Sequence, residues 1–216
     1  LLNSHEIVND IVGGRPVVVA WCPLANLAAV YTREIDDKVF TFGVSGKLLK
    51  NTLVMFDYET GSLWTAISGE SIEGILKGNR LIEIASAQKI TWEEWRRSHP
   101  DSKVLTYRGI ETAGYDNYRD YHNSWLKTGI FPVENKDNRL KDKSIVIGLD
   151  INGKRKAYPL GIFKDTKIVT DDFQGLPLLL YHDKASNYTV VYNRKIDDTA
   201  LEFSRLDASK FRRDTK

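Results

Sequence analysis

The sequence predicts a mainly β fold of antiparallel β-meanders forming a barrel or a sandwich, with one or two short helices. Three observations predict it. Apolar and polar residues alternate in short runs separated by Gly, Asn and Asp, an Asn-Gly dipeptide stands between two such runs, and a 38-residue stretch recurs 161 residues downstream. Period-two alternation is the mark of a half-buried strand, and Asn-Gly supplies the two positive φ angles that a tight hairpin needs.

The recurring stretch covers residues 5–42 and 166–203. An ungapped shift of 161 pairs Ile7, Val8, Asp10, Gly14 and Pro16 with Ile168, Val169, Asp171, Gly175 and Pro177. It also pairs Asn26, Val30, Tyr31, Arg33, Ile35, Asp36, Asp37 and Phe42 with Asn187, Val191, Tyr192, Arg194, Ile196, Asp197, Asp198 and Phe203. Those 13 identities in 38 positions compare with about two expected from average residue usage. The shared residues are those of a scaffold: a Gly-x-Pro turn, an apolar strand, then a Val-Tyr strand ending in an Asp-Asp turn. The chain is expected to be a single domain, 1–216, containing both copies. Ala157-Tyr158-Pro159-Leu160 precedes the second copy and its counterpart would fall before Leu1, so the chain is expected to be truncated or processed before residue 1.

Between the copies, 39–43, 52–57 and 62–67 read as strands. A helix begins at Thr91, whose hydroxyl caps it; Glu93 and Glu94 lie in its first turn, Arg96 and Arg97 follow, and Pro100 stops it. Residues 115–127 carry aromatics without clean periodicity and are read as irregular. Asn152-Gly153, between Ile145–Leu149 and Arg155–Tyr158, predicts a tight hairpin.

At 216 residues with 42% hydrophobic content, the chain can bury an ordinary core. Its 31 basic and 29 acidic side chains nearly cancel, and the longest basic cluster, 210–216, is interrupted by Asp214. No phosphate-tracking stripe is present, so nucleic acid is not an expected partner. Apolar runs such as Val17–Leu24 fall well short of the roughly 20 residues that cross a bilayer, so no membrane span is expected in this chain. The single cysteine, Cys22, excludes an internal disulfide and a multi-cysteine zinc knuckle.

Subtracting one copy from the other isolates the candidate chemistry. The first copy has His5, Glu6, Asn9 and Cys22 where the second has Thr166, Lys167, Thr170 and Asp183. His5 is a candidate base or metal ligand, and Cys22 a candidate nucleophile or soft ligand, with Asp10 orienting the histidine. Glu6 or Asp10 would have to complete any transition-metal site, since a closed zinc site takes four ligands. The plainer reading of Cys22, at the end of a Val-Val-Val-Ala-Trp run, is a small buried hydrophobe. Trp64, with Trp92, Trp95 and Trp125, could line a groove for a sugar or aromatic ligand, but rings that fill a small β core and close its ends are the better reading. Gly43-Val44-Ser45-Gly46 lacks the Lys-Ser/Thr of a phosphate loop and reads as a turn, and Gly69-Glu70-Ser71 is not a nucleophile elbow. His99 helps to end the helix, and no motif surrounds His122 or His182.

His5-Glu6-Ile7-Val8-Asn9-Asp10, Gly13-Gly14-Arg15-Pro16-Val17-Val18-Val19 and Cys22-Pro23-Leu24 resemble the prokaryotic family catalogued as domain of unknown function 3179. The likeness continues in order through 42–46, 62–64, Gly69-Glu70, 91–95, His99-Pro100 and 157–160. The resemblance carries no activity with it, but implies a prokaryotic and exported protein, whether periplasmic, cell-surface or extracellular. Many members read Cys-Pro-Leu-Cys where this chain has Ala25 in the last place, so a vicinal thiol pair is lacking. The expectation is a non-enzymatic exported protein that binds a protein partner or small ligand, as in a cell-envelope or extracellular assembly. The alternative is an enzyme or metal-binding protein centred on Cys22 and His5, with Glu6, Asn9, Asp10 and Trp64 as binding residues.

Overall fold

The computed structural model describes residues 2–106, 118–123, 131–133, 135, 137–164 and 167–203, and these are mainly β with antiparallel strand pairing throughout. The chain divides into two compact units, Leu1–Ala87 with Lys103–Lys143 and Gln88–Ser102 with Ser144–Lys216. One repeat copy lies in each.

The first unit opens with a helical turn, α1 (Leu2–His5), followed by β1 (Ile7–Val12), β2 (Arg15–Cys22), β3 (Leu27–Thr32), β4 (Glu34–Ile35) and β5 (Lys38–Val39). After these come β6 (Phe42–Leu49), β7 (Thr52–Asp57), β8 (Leu63–Thr65), β9 (Ser71–Glu73) and β10 (Glu83–Ala85). Two further helices, α2 (Trp92–Ser98) and α3 (Tyr118–Asn123), belong to the second and first units respectively. Strands β1-β2-β3-β10 form one four-stranded sheet and β6-β7-β8-β9 another. The two share a core in which Val18, Ala20, Cys22, Ala29 and Tyr31 from the first sheet meet Phe42, Leu53, Met55 and Trp64 from the second. That is a sandwich, and no sheet among the described residues closes into a barrel. Phe42 meets Trp64 edge to face at 5.8 Å, a favoured aromatic geometry.

Tight two-residue turns carry much of this unit. Gly13-Gly14, Asp36-Asp37 and Lys50-Asn51 each join neighbouring strands with both residues at positive φ. That conformation matches the right-handed strand twist. The strand expected over 39–43 is interrupted. Phe40 donates its N–H to Arg33 O at 2.8 Å while Arg33 Nη1 donates to Phe40 O at 3.0 Å, which draws the chain out of the ladder and sinks the Phe40 ring into the core. Residues 43–46 lie within β6 at a break in its pairing with β7 between Val44 and Leu48. Ser45 Oγ donates to Val54 O there and Gly46 takes φ +73°, as in a β-bulge. Helix α3 falls in the stretch read as irregular; its half-buried residues Tyr118, Tyr121 and His122 recur at helical spacing. The rest of 115–127 lies outside the described residues.

In the second unit, β11 (Val146–Ile151) and β12 (Lys154–Pro159) form the hairpin predicted at Asn152-Gly153, whose φ angles are +53° and +73°. β13 (Ile168–Phe173), β14 (Leu176–Asp183) and β15 (Tyr188–Asn193) form a three-stranded sheet, followed by the small ribbon of β16 (Lys195–Ile196) and β17 (Thr199–Ala200). Every one of β13 to β17 begins and ends 161 residues after its counterpart among β1 to β5. The ladders keep the same register too: Ile7 faces Ala20 as Ile168 faces Tyr181, and Val18 faces Tyr31 as Leu179 faces Tyr192. Identical residues repeat their roles. Arg194 Nη1 donates to Leu201 O as Arg33 does to Phe40 O, and Asp171 Oδ1 accepts from the next backbone N–H as Asp10 Oδ1 does. One face of the second copy's sheet, carrying Leu178 and Leu180, packs on Tyr158 and Phe163.

Candidate functional site

Both copies end β2 or β14 at the position of the candidate cysteine. The β1–β2 register places residue 5 across from residue 22, and the ladder runs one step past β1 because Trp21 N donates to Glu6 O at 2.7 Å. Glu6 then takes φ +58° and the chain turns into α1. The outcome is an exposed His5 at a helical end and a Cys22 that is 2% exposed in the core, its sulfur accepting Leu53 N–H at 3.4 Å. Glu6 is half-buried, and this burial raises its carboxyl pKa. In the second copy the positions of Glu6 and Cys22 carry Lys167 and Asp183, which form an ion pair at 2.9 Å.

The remaining predicted residues have structural work. Asn9 clamps the backbone of Phe42 from both sides, Nδ2 donating to Phe42 O at 2.8 Å and Oδ1 accepting Phe42 N–H at 2.9 Å, which ties β1 to the start of β6. Asp10 caps the Ile11 N–H at 2.7 Å. Trp64 has no exposed surface, and its indole N–H donates to Asp57 Oδ2 at 2.8 Å. Asp57 is itself fully buried and also accepts the N–H and hydroxyl of Thr60. Among the described residues, no three His, Cys, Asp or Glu side chains gather as a metal-binding group.

The histidine that reaches the cysteine's turn is His122 of α3, whose Nε2 lies 2.7 Å from the carbonyl oxygen of Pro23. Beside it, Tyr121 has its phenol pKa raised chiefly by burial, while Lys143 Nζ donates to Tyr121 O and stands 4.0 Å from the ring centroid. Ninety-nine residues separate Pro23 from His122, and no local pattern in the sequence joins them.

The second unit holds an open cleft of about 360 Å³. Its floor is the face of β14 and β15 opposite the packed core: Leu179, Tyr181 and Asp183 alternate along one strand, and Tyr188, Val190 and Tyr192 along the other. Its wall is Gln88, Ile90 and the side of α2 that carries Glu94, Trp95, Ser98 and His99. Thr91 caps α2 by accepting Glu94 N–H, and Thr91 N donates to Ser186 O at 3.0 Å, which fastens the helix to the turn after β14. Trp95 stacks on His99 at 4.1 Å with 14° between the rings, and its indole N–H donates to Ser102 Oγ at 2.8 Å. Tyr181 and Tyr188 lie 5.9 Å apart, and the Tyr188 and Tyr192 hydroxyls are separated by 3.5 Å. The hydrogen bond with Tyr192 and then burial raise the Tyr188 pKa. Both carboxylates at the rim have partners: Glu94 pairs with Arg97, and Asp183 pairs with Lys167 and accepts Ser186 Oγ at 3.1 Å. The Lys167 hydrogen bond holds the Asp183 carboxyl below the usual carboxylate range.

The repeat explains why this face is open. Leu179, Tyr181, Asp183, Tyr188, Val190 and Tyr192 correspond to Val18, Ala20, Cys22, Leu27, Ala29 and Tyr31. In the first copy, five of those six are core residues covered by the β6–β9 sheet. The second copy puts larger rings on the same face and meets it with α2. Trp95, which sequence reasoning weighed as core, lines the cleft instead, and Trp92 beside it is 50% exposed.

The family model described as "Protein of unknown function (DUF3179)" matches residues 1–215. No curated protein and no solved structure matches the chain.

Proposed function

Since the chain belongs to the family of domain of unknown function 3179, which brings no activity with it, we propose on the geometry alone that it is a non-enzymatic binding protein. Its ligand site is the cleft between α2 and the β14–β15 face. The observation that carries this reading is a recess of about 360 Å³ lined by three tyrosines and a stacked Trp–His pair. Concave sites with mostly apolar walls and a few polar groups are where small ligands bind. The second copy builds its recess on the face that the first copy spends on its core. Export, which the family resemblance implies, would present this site outside the cytoplasm, and fractionation of native cells tests that part.

The binding reading is tested by incubating the full chain with a small-molecule extract, desalting it and measuring bound species by native mass spectrometry. A retained species that Tyr181→Ala loses, and that is released with unchanged mass, is the expected result. Retention by both proteins alike places the site elsewhere, and release of an altered compound means an enzyme.

Thiol chemistry at Cys22 is the second reading. Its support is that His122 Nε2 lies 2.7 Å from the carbonyl oxygen of Pro23, the residue after Cys22, which brings an imidazole to the cysteine's turn though not to its sulfur.

A further inference from the structure

Resting on the reading of the cleft as a ligand site, we infer that its ligand is a neutral carbohydrate, bound as a mono- or disaccharide unit against the tyrosine floor. The argument starts from charge. An aromatic recess attracts a cation through the negative faces of its rings, and an unpaired carboxylate beside them adds to that attraction. Here neither lining carboxylate is unpaired: Glu94 pairs with Arg97, and Asp183 pairs with Lys167 and accepts the Ser186 hydroxyl. An anion is no better served, because the same pairs occupy Arg97 and Lys167. The cleft therefore favours a ligand without net charge.

The rings narrow the class further. A flat aromatic ligand would be served by a slot between parallel rings. Tyr181 and Tyr188 are instead inclined at 57°, and the Trp95 face that meets a parallel ring is already stacked on His99. Inclined rings present separate apolar platforms to a puckered molecule with C–H bonds on its faces. Around them stand hydroxyl and amide groups with hydrogen-bonding capacity beyond their present partners: Tyr188, which bonds Tyr192 and Gln88, and Ser98, which donates to Glu94 O and can still accept. Apolar faces bordered by an equatorial ring of hydroxyls are the surface of a pyranose. The first copy supplies the contrast. At the positions of Tyr181 and Tyr188 it has Ala20 and Leu27, and its equivalent face is closed against a sheet.

The test uses the full chain and protein-observed NMR, following the Trp95 indole and the tyrosine ring signals. The probes are cello-, malto-, chito- and xylo-oligosaccharides, with choline, indole acetate, acidic uronate oligosaccharides and a fragment library as comparators. The expected result is that at least one neutral series shifts the lining signals saturably. Tyr181→Ala and Tyr188→Ala should each weaken it about tenfold or more. Trp92→Ala, on the same helix but outside the lining, should leave it within about twofold. Circular dichroism and urea titration identify any variant that has lost its fold, and Tyr181→Phe and Tyr188→Phe then carry the test, retaining the platform and most of the affinity. Binding of choline, indole acetate or uronates at the lining with no neutral sugar overturns the carbohydrate assignment and leaves the ligand cleft standing. Failure of every probe and of the fragment library to move the lining signals overturns both.

Discussion

Asp57 and Cys22 are both buried polar groups, and their partners set their fates. Asp57 takes hydrogen bonds from the Trp64 indole and from the N–H and hydroxyl of Thr60. Truncating it strands these donors away from water, so Asp57→Ala should cost about 3 kcal/mol in urea unfolding; a loss below about 1 kcal/mol would show that the network is replaceable. Among the described residues, Cys22 takes one weak hydrogen bond, from the Leu53 N–H, and packs among apolar side chains. Its thiol should react with a disulfide reagent only after denaturation, and fast reaction of the native protein would favour the thiol reading. Subtracting the copies found positions that differ, but difference alone does not mark function. Glu6 and Cys22 correspond to the Lys167–Asp183 pair, so each copy has solved the end of the same ladder in its own way. Asn9 belongs to that list because only the first copy needs its clamp on Phe42. His122 has no local motif, and Trp95 reads as core from the sequence, because the residues that give both their places are distant in the chain.

Elements were most legible where local chemistry decides the backbone. Asn152-Gly153 and the Thr91 cap are cases in which the residue type itself dictates the conformation, and both are in place. Removing the cap with Thr91→Ala should destabilise α2 by about 1 kcal/mol and loosen the cleft wall, read as faster amide exchange over residues 92–98. A turn held by context was less legible: Lys50-Asn51 takes the same positive angles without a glycine, because the ladder on either side fixes it. The interruption after Val39 was equally hidden, since Arg33 causes it from outside the strand. Gly74, at φ +95°, has no room for a side chain: an added Cβ would stand 2.7 Å from Ser62 Cα. Gly74→Ala should therefore destabilise by about 2 kcal/mol or more, measured by thermal unfolding, with the Asp57–Thr60–Ser62 turn shifted in NMR spectra.

At the scale of the whole molecule, two carboxylates, one in each unit, respond to acid with opposite signs. Burial raises the pKa of Glu6 on folding, so the folded first unit holds that proton more tightly, and the carboxylate opposes folding at neutral pH. Glu6→Gln should raise stability at pH 7, and the gain should vanish as pH falls through the unfolded value near 4. Asp171 is lowered, mainly by its hydrogen bond with Lys156, so its contribution is present above the unfolded value and lost as pH falls through the folded one. Asp171→Asn should lower stability at pH 7, and the loss should shrink as pH falls towards 2, with urea titrations at both pH values as the measure. The fold class and the repeat were readable because strand period and turn spacing are local and recur. The cleft was not, because nothing in β14 or β15 says what will cover them. The pairing of Ala20 with Tyr181 and of Ala29 with Val190 has a consequence for how such a protein evolves. With one copy committed to holding the sandwich together, the other is released from that duty, and selection can alter its exposed face residue by residue without endangering the first unit's core.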